Sequence, residues 1–265
     1  MKTAQSLEAF KAFRNQLSDR IGFVPTMGAL HEGHLSLVRL AKEHTDHVIV
    51  SIYVNPTQFA PHEDFDSYPR DMEGDLALLE REGVELAFLP AEADIYPGGP
   101  VTSVQAGPTH EGLESDFRPH FFHGVATVVH RLFEIVRPTH AVFGEKDFQQ
   151  LQVIRDMVAQ QQMGIEIIGA PIARDDHGLA LSSRNAYLSE EELEIARMLN
   201  QVIYKAAHDI SEGGDDVARI EQEAAQMLLT AGFDKVDYVT AKSNWSRVLA
   251  AGWVGKTRLI DNCHV

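Results

Sequence analysis

The chain has 265 residues, 44% of them hydrophobic, a formal net charge of −16 and one cysteine, Cys263. Such a charge argues against a nucleic-acid partner, which needs clustered Lys and Arg to neutralise phosphate. A lone cysteine excludes an intramolecular disulfide and a Cys-based zinc site and points to a reducing, cytoplasmic compartment, while no apolar run reaches the roughly 18–20 residues that a membrane-spanning helix needs.

The N-terminal MKTAQSLEAFKAFRNQL has the 3.6-residue apolar period of an amphipathic helix, not the continuous apolar core of a signal peptide. GFVPT (22–26) reads as a short strand. His34 to Glu43 reads as a helix with Leu35, Val38 and Leu40 on its apolar side, and HVIVSIYV (47–54) as a buried strand. Asp71 to Glu82 predicts a helix and VELAFLP (84–90) a strand. The stretch 91–124, rich in Gly, Pro and His, reads as a long loop, uncommon unless it is functional or hides strands. Val125 to Val136 predicts a strongly apolar helix ending before Pro138. THAVFG (139–144) follows as a strand, Asp147 to Gln162 as a helix and IEIIGAP (165–171) as a strand. This alternation predicts an α/β fold: a Rossmann-like domain over 1–174 built on a mostly parallel sheet with right-handed crossovers.

The pattern changes after about residue 174. Ser189 with Glu192 forms a capping-box start for a long helix to about Ile210. The GGDD segment (213–216) breaks the chain, and a second helix runs to about Thr230. VDYVT and TRLIDN read as short strands. Residues 175–265 therefore form a smaller α+β domain, expected to act as a lid.

The most informative stretch is FVPTMGALHEGHLSLVRLA, residues 23–41, with His31 and His34 three apart. HEGH is one residue short of the H-E-x-x-H metal spacing, and zinc needs a third protein ligand. His44 and His47 are expected at the far end of the same helix, away from the pair. With 13 histidines in the chain, an exposed polar pair at a turn is the plainer reading. An anion site uses more of the stretch. Gly28 permits a tight turn, and Gly33 removes a side chain beside His34. A phosphate there would meet free backbone N–H groups and the positive end of the helix dipole, with two imidazoles adding donors. Ligands of open α/β sheets sit at the carboxyl ends of the strands.

PTMGALHEGHLSLV resembles the nucleotide signature of the pantothenate synthetase family, in the H-x-G-H group of adenylyl-transferring enzymes. YVNPTQF (53–59), FGEKDFQQL (143–151), LALSSRNAYLS (179–189) and RLIDN (258–262) resemble it further, in the family's order. The resemblance implies ATP-dependent condensation of pantoate with β-alanine to pantothenate, AMP and pyrophosphate through a pantoyl-adenylate, with Mg2+, in a cytoplasmic homodimer. It implies ATP contacts from Met27, Gly28, Ala29, Leu30, His31, Glu32, Gly33 and His34, with His34 as proton donor. It implies further contacts from Gly144, Glu145, Lys146 and Asp147, from Ala173 beside adenine, and from Leu181, Ser182, Ser183 and Arg184 closing over the triphosphate. His31, His34, Lys146 and Arg184 form the implied catalytic set. Gln58 and Gln150 fall on pantoate, and Gln58 also near β-alanine. Asp75, in DMEGD (71–75), is the remaining metal candidate, because Gly74 replaces a usual aspartate, with magnesium expected to be held mostly by the triphosphate and water. RPHFFHGV (118–125) departs from the family's R-P-x-H-F-x-G-V: Phe121 holds the usual histidine position, so either His120 or His123 substitutes or the contact is absent.

Residue chemistry supports parts of this. Lys146, in a strand-to-helix turn, can reach phosphate oxygens as a point charge; its plainer reading is a solvated surface lysine. Asp147 either caps its helix or faces ribose hydroxyls. LALSSRN on its own would read as a strand and a polar turn. Neutral glutamines suit a substrate with two hydroxyls and a carboxylate, because they bind the carboxylate without the loss of nucleophilicity that a cation imposes. The alternatives are an H-x-G-H adenylyltransferase with a phosphate acceptor and a catalytically silent nucleotide-binding regulator. Helix 125–136 is a candidate dimer interface or a core helix.

Overall fold

The computed structural model describes residues 1–60, 63–214 and 216–265. Asp215 of the GGDD break lies outside them. Contacts divide the chain into two units, Met1–Pro171 and Ile172–Val265.

The first unit runs β1 (Lys2–Ala4), α1 (Leu7–Arg14), β2 (Ile21–Thr26), α2 (Glu32–His44), β3 (His47–Ile52), α3 (Met72–Arg81), β4 (Leu86–Phe88), α4 (Glu92–Ile95), α5 (Glu114–Phe117), α6 (Phe121–Val136), β5 (His140–Gly144), α7 (Phe148–Gln160) and β6 (Glu166–Ala170). Its six strands form one sheet in the order β1-β4-β3-β2-β5-β6, and every pair is parallel. β2 lies at the switch point: the chain steps from β2 to β3 on one side, and from β5 to β6 on the other. The turns leaving β2 and β5 therefore diverge and open a crevice at their carboxyl ends. The central strands are buried on both faces. Val24, Val48, Val50 and Val142 pack with Leu37, Val38 and Ala41 of α2 in one cluster, as a covered parallel sheet requires.

Two N-terminal readings change. The expected first helix is shorter, capped by Ser6 accepting from the Ala9 N–H, because Lys2–Ala4 pairs with β4. His47 opens β3 rather than extending α2. α6 starts earlier than the apolar run, at Phe121, and ends on Arg137 in the left-handed region at φ 49°, since Pro138 excludes a further helical residue before it.

The stretch 91–124 contains α4, a 3-10 turn at Pro108–His110 and α5, and no strand among the described residues. Side chains from the helices hold it. Gln149 Nε2 donates to the carbonyls of Thr109, His110 and Gly112, and its Oε1 accepts from the Glu114 N–H. Thr127 Oγ1 accepts from the N–H groups of Ser103 and Val104. These side chains satisfy backbone polar groups of the loop that have no ladder to pair with.

The second unit contains α8 (Glu190–Ser211), α9 (Val217–Ala231) and an antiparallel sheet of β7 (Lys235–Lys242), β8 (Arg247–Val254) and β9 (Thr257–His264). Ser189 and Glu192 cap α8 reciprocally. The central strand β8 escapes sequence reading because Ala250, Ala251 and Gly252 interrupt the β-branched and aromatic pattern of RVLAAGWV. Gly252 is there for packing: a Cβ on it would lie 2.8 Å from the Phe233 ring.

Gly124 of α6 meets the short 3-10 turn Pro56–Gln58, where an added Cβ would lie 2.4 Å from the Thr57 carbonyl oxygen. Backbone cannot yield as a side-chain tip can. Gly124→Ala should destabilise the protein by about 1–3 kcal/mol, read as a lower urea midpoint; an unchanged midpoint would mean that this close approach is absent in solution.

Candidate active site

The turn from β2 to α2 carries the two histidines, and its hydrogen bonds are nearly all internal. The Gly28 N–H donates to Thr26 Oγ1 at 3.3 Å. The N–H groups of Ala29 and Leu30 donate to the two carboxylate oxygens of Asp75, at 2.9 and 2.7 Å. The His31 N–H donates to His34 Nδ1 at 3.3 Å, and the Gly33 N–H to His31 Nδ1 at 3.1 Å. His31 and His34 are thus a histidine version of the capping box. The i, i+3 spacing that falls short of a metal motif is the spacing of a reciprocal cap. The expectation of free backbone N–H groups for phosphate fails at these positions, because internal acceptors occupy them.

This arrangement settles the tautomers. A ring nitrogen that accepts from a backbone N–H carries no proton, so in each neutral imidazole the proton sits on Nε2. Burial is the main reason that both rings stay neutral, pulling His31 down to about 4 and His34 to about 3. The charge of Lys146 adds to both shifts, and His31 adds to that of His34. The ring centroids are 4.1 Å apart. The corner therefore offers two neutral Nε2–H donors within the field of an ammonium.

Asp75, expected as the metal candidate, faces the loop instead. It is 3% exposed, and burial raises its pKa while the two N–H donors hold it down. Gly28, at φ +85°, has no room for a side chain: a Cβ would lie 2.9 Å from Asp75 Oδ2. Ala29 is also left-handed, at φ 51°, which costs about 1–2 kcal/mol for a residue with a Cβ. Two hydrogen bonds to a carboxylate, about 1.5–3 kcal/mol each, outweigh that cost. Among the described residues no group of three or more His, Cys, Asp or Glu is placed to hold a metal ion.

Lys146 lies in the 3-10 turn Glu145–Asp147 that leaves β5, the other strand of the switch point. Asp147 precedes α7 without a side-chain cap hydrogen bond, so capping is not its role. A Cβ on Gly144 would meet only Leu37 Cδ2, at 4.0 Å, and its φ of −72° suits any residue. Neither packing nor backbone demands glycine there. Glu32 pairs with Arg39 of its own helix. Met27 is half-buried, and Leu30 packs at the edge of the β2–α2 core.

Gln58 ends the 3-10 turn after β3, its Oε1 accepting from Asn55 Nδ2 at 3.0 Å. Gln150 stands in the first turn of α7, half-buried. Phe121 is not a histidine surrogate: Arg118 stacks on its ring at 3.8 Å, while donating to both oxygens of Glu63 and to the Gln58 carbonyl. His123 Nδ1 accepts from the Ala106 N–H, and its ring lies 4.9 Å from that of His110; His120 is exposed. Asn55, Arg118 and Gln149 were missed by sequence reasoning: the partners of Gln149 and the Glu63 and Gln58 contacts of Arg118 lie far along the chain, whereas Asn55 carried a local signal as the cap of the Pro56–Gln58 turn.

In the second unit, the Ala173 carbonyl accepts from the Leu181 N–H at 2.9 Å. Ser182 caps the 3-10 turn Ser183–Tyr187, accepting from the Arg184 N–H at 3.3 Å. LALSSRN forms an isolated bridge, Arg174 to Ala180, and this turn, not a full strand. Arg174 makes a bidentate pair with Asp261 at 2.6 and 2.9 Å, so the RLIDN stretch anchors the segment bearing Ala173.

A parallel sheet whose switch point carries a histidine-capped turn on one strand and a lysine turn on the next defines an α/β protein with a candidate site at the H-x-G-H sequence. The family model described as pantoate-beta-alanine ligase matches residues 1–264, and the chain belongs to that family of ligases. It is 51% identical over 283 residues to the pantothenate synthetase of Mesorhizobium japonicum, covering 100% of this chain and 99% of that protein. It is 50% identical over 260 residues to that of Caulobacter vibrioides, covering 93% and 91%. Pantothenate synthetase of Thermus thermophilus superposes with TM-score 0.90 at 41% identity, over 100% of this chain and 99% of the other. Pantoate-beta-alanine ligase of Francisella tularensis, complexed with beta-gamma ATP and beta-alanine, superposes with TM-score 0.88 at 37% identity, over 100% and 97%.

Asp75→Asn leaves one acceptor oxygen for two N–H groups. It should cost about 1–3 kcal/mol of stability and raise the KM for ATP severalfold more than that for the acid substrate; equal effects on both would place Asp75 outside the nucleotide corner.

Proposed function

We propose that the chain joins pantoate to β-alanine with cleavage of ATP to AMP and pyrophosphate, through a pantoyl-adenylate. Family membership over the whole chain supports this reading above an adenylyltransferase with a phosphate acceptor or a silent regulator. The observation that carries the chemistry is the donor set at the switch point: two neutral imidazoles presenting Nε2–H within the field of Lys146, beside the open backbone of Gly144.

In the first step the pantoate carboxylate attacks the α-phosphorus of ATP and pyrophosphate leaves. The nucleophile is ionised near neutral pH, so no general base is needed. Catalysis is then positioning and charge stabilisation. His31 and His34 donate hydrogen bonds to phosphate oxygens, and Lys146 offsets charge gathering on the departing groups. His34 acts as a hydrogen-bond donor through Nε2–H and not as a proton source: a ring with a pKa near 3 is the neutral imidazole, not the imidazolium, at working pH. Gly144 admits the nucleotide close to the backbone and Asp147 accepts from ribose hydroxyls. The family resemblance assigns adenine and phosphate contacts to Ala173, Leu181, Ser182, Ser183 and Arg184. Gln58 and Gln150 hold pantoate. In the second step the β-alanine amine attacks the acyl carbon and AMP leaves.

Magnesium enters with the triphosphate in this reading. Both Asp75 oxygens already accept from backbone, which does not suit a protein-held metal cage. The homodimer rests on the family, not on α6, whose apolar side chains are largely buried within one chain. A cytoplasmic location agrees with the single, buried Cys263; no helix among the described residues is long and apolar enough to cross a membrane.

Protein mixed with magnesium ATP and pantoate should release pyrophosphate stoichiometric with enzyme, with AMP appearing only after β-alanine is added. AMP release before the amine would contradict the bound adenylate. The pyrophosphate burst should be level between about pH 8 and about pH 6, because both histidines stay neutral there; a fall centred near pH 6.5 would show an ordinary imidazole at work. His34→Ala should abolish the burst, and Gln150→Ala should raise the KM for pantoate far more than that for ATP.

A further inference from the structure

The reading above gives Gln58 to pantoate, and the structure fixes which end of its amide is available. Gln58 Oε1 accepts from Asn55 Nδ2 at 3.0 Å. Asn55 is 1% exposed, so its own amide must be satisfied inside the protein. Its Oδ1 accepts from the Tyr96 hydroxyl at 2.8 Å, from Thr57 Oγ1 at 3.1 Å and from the Thr57 N–H at 3.4 Å. A backbone N–H can only donate. The Asn55 oxygen therefore faces Thr57 and Tyr96, its NH2 faces Gln58, and Gln58 answers with its oxygen. The Gln58 NH2, with its two donors, remains for the substrate.

Of these groups the Tyr96 hydroxyl gives Asn55 its shortest bond. Tyr96 lies 41 residues away in sequence, just past α4, and is 6% exposed. Burial raises its pKa, so the phenol keeps its proton and can donate.

We propose that Tyr96 is a positioning residue for the acid-substrate subsite: through Asn55 it sets the Gln58 amide with its NH2 toward the acceptor oxygens of pantoate. The proposal rests on Gln58 binding pantoate, and the test separates the two.

The experiment is steady-state kinetics of the full chain with pantoate and ATP varied separately, together with thermal melts. Tyr96→Phe removes one hydroxyl and no carbon. It should raise the KM for pantoate about five- to tenfold, the effect of one neutral hydrogen bond, with the KM for ATP within about twofold of the parent. A pantoate KM within about twofold of the parent, or equal rises for both substrates, overturns the proposal. In an Asn55→Ala background, Tyr96→Phe should add less than about twofold, since its route is gone; full additivity overturns it. Gln58→Glu keeps an oxygen for Asn55 but turns the outward donor into an acceptor, so it should harm pantoate binding more than Gln58→Ala does. A milder effect overturns the assigned polarity. If Gln58→Ala leaves the pantoate KM unchanged, the assignment of Gln58 fails; if it raises that KM and Tyr96→Phe does not, the role of Tyr96 alone fails. Should Tyr96→Phe not fold, Thr57→Val removes the other hydroxyl from the same oxygen and should shift the pantoate KM in the same direction; no shift overturns the proposal.

Discussion

A turn leaving the edge of a buried parallel strand exposes a run of backbone N–H groups, and each needs an acceptor. For the N–H groups of Gly28, Ala29, Leu30, His31 and Gly33 the protein supplies those acceptors itself: a threonine hydroxyl, both oxygens of Asp75, and the Nδ1 atoms of His31 and His34. The consequences spread outward. The carboxylate holds Ala29 in a costly left-handed conformation. The reciprocal cap fixes both imidazoles in one tautomer. At this corner a protein of net charge −16 places two neutral rings within the field of one lysine. Neutral donors suit the chemistry, because a cation paired with the attacking carboxylate would blunt it.

The sheet order brings that local arrangement beside a second turn. His31 and Lys146 belong to turns more than a hundred residues apart, yet leave adjacent strands, β2 and β5, at the point where the strand order reverses. The same economy recurs at Gln58. Gly124 admits the Thr57 backbone, Arg118 grips the Gln58 carbonyl and Asn55 its amide. In the second unit, Arg174 and Asp261 tie the Ala173 segment to β9.

Much of this was legible in the sequence. β-branched runs gave the central strands, Ser189 with Glu192 gave the start of α8, and the order of five motifs pointed to the family. The state of the histidine corner was not legible. Its deciding partner, Asp75, lies 45 residues from Leu30, and nothing in DMEGD distinguishes a carboxylate facing a metal from one facing a loop. Phe121 looked like a lost histidine, but its ring supports Arg118. β8 was missed because its centre, Ala250, Ala251 and Gly252, carries no strand pattern, and the Phe233 ring that Gly252 accommodates lies outside the strand. Local periodicity reports which face is buried; it does not report which distant group completes a hydrogen bond.

The central claim concerns the protonation of two rings, so long-range 15N–1H NMR of the imidazoles tests it most directly. Spectra of the full chain at about pH 6.5, assigned with His31→Gln and His34→Gln, should show both residues neutral, with the proton on Nε2 and Nδ1 unprotonated. An imidazolium at either position, or a proton on Nδ1, would contradict the account, because the Gly33 and His31 N–H groups would then lack the acceptors on which the corner is built.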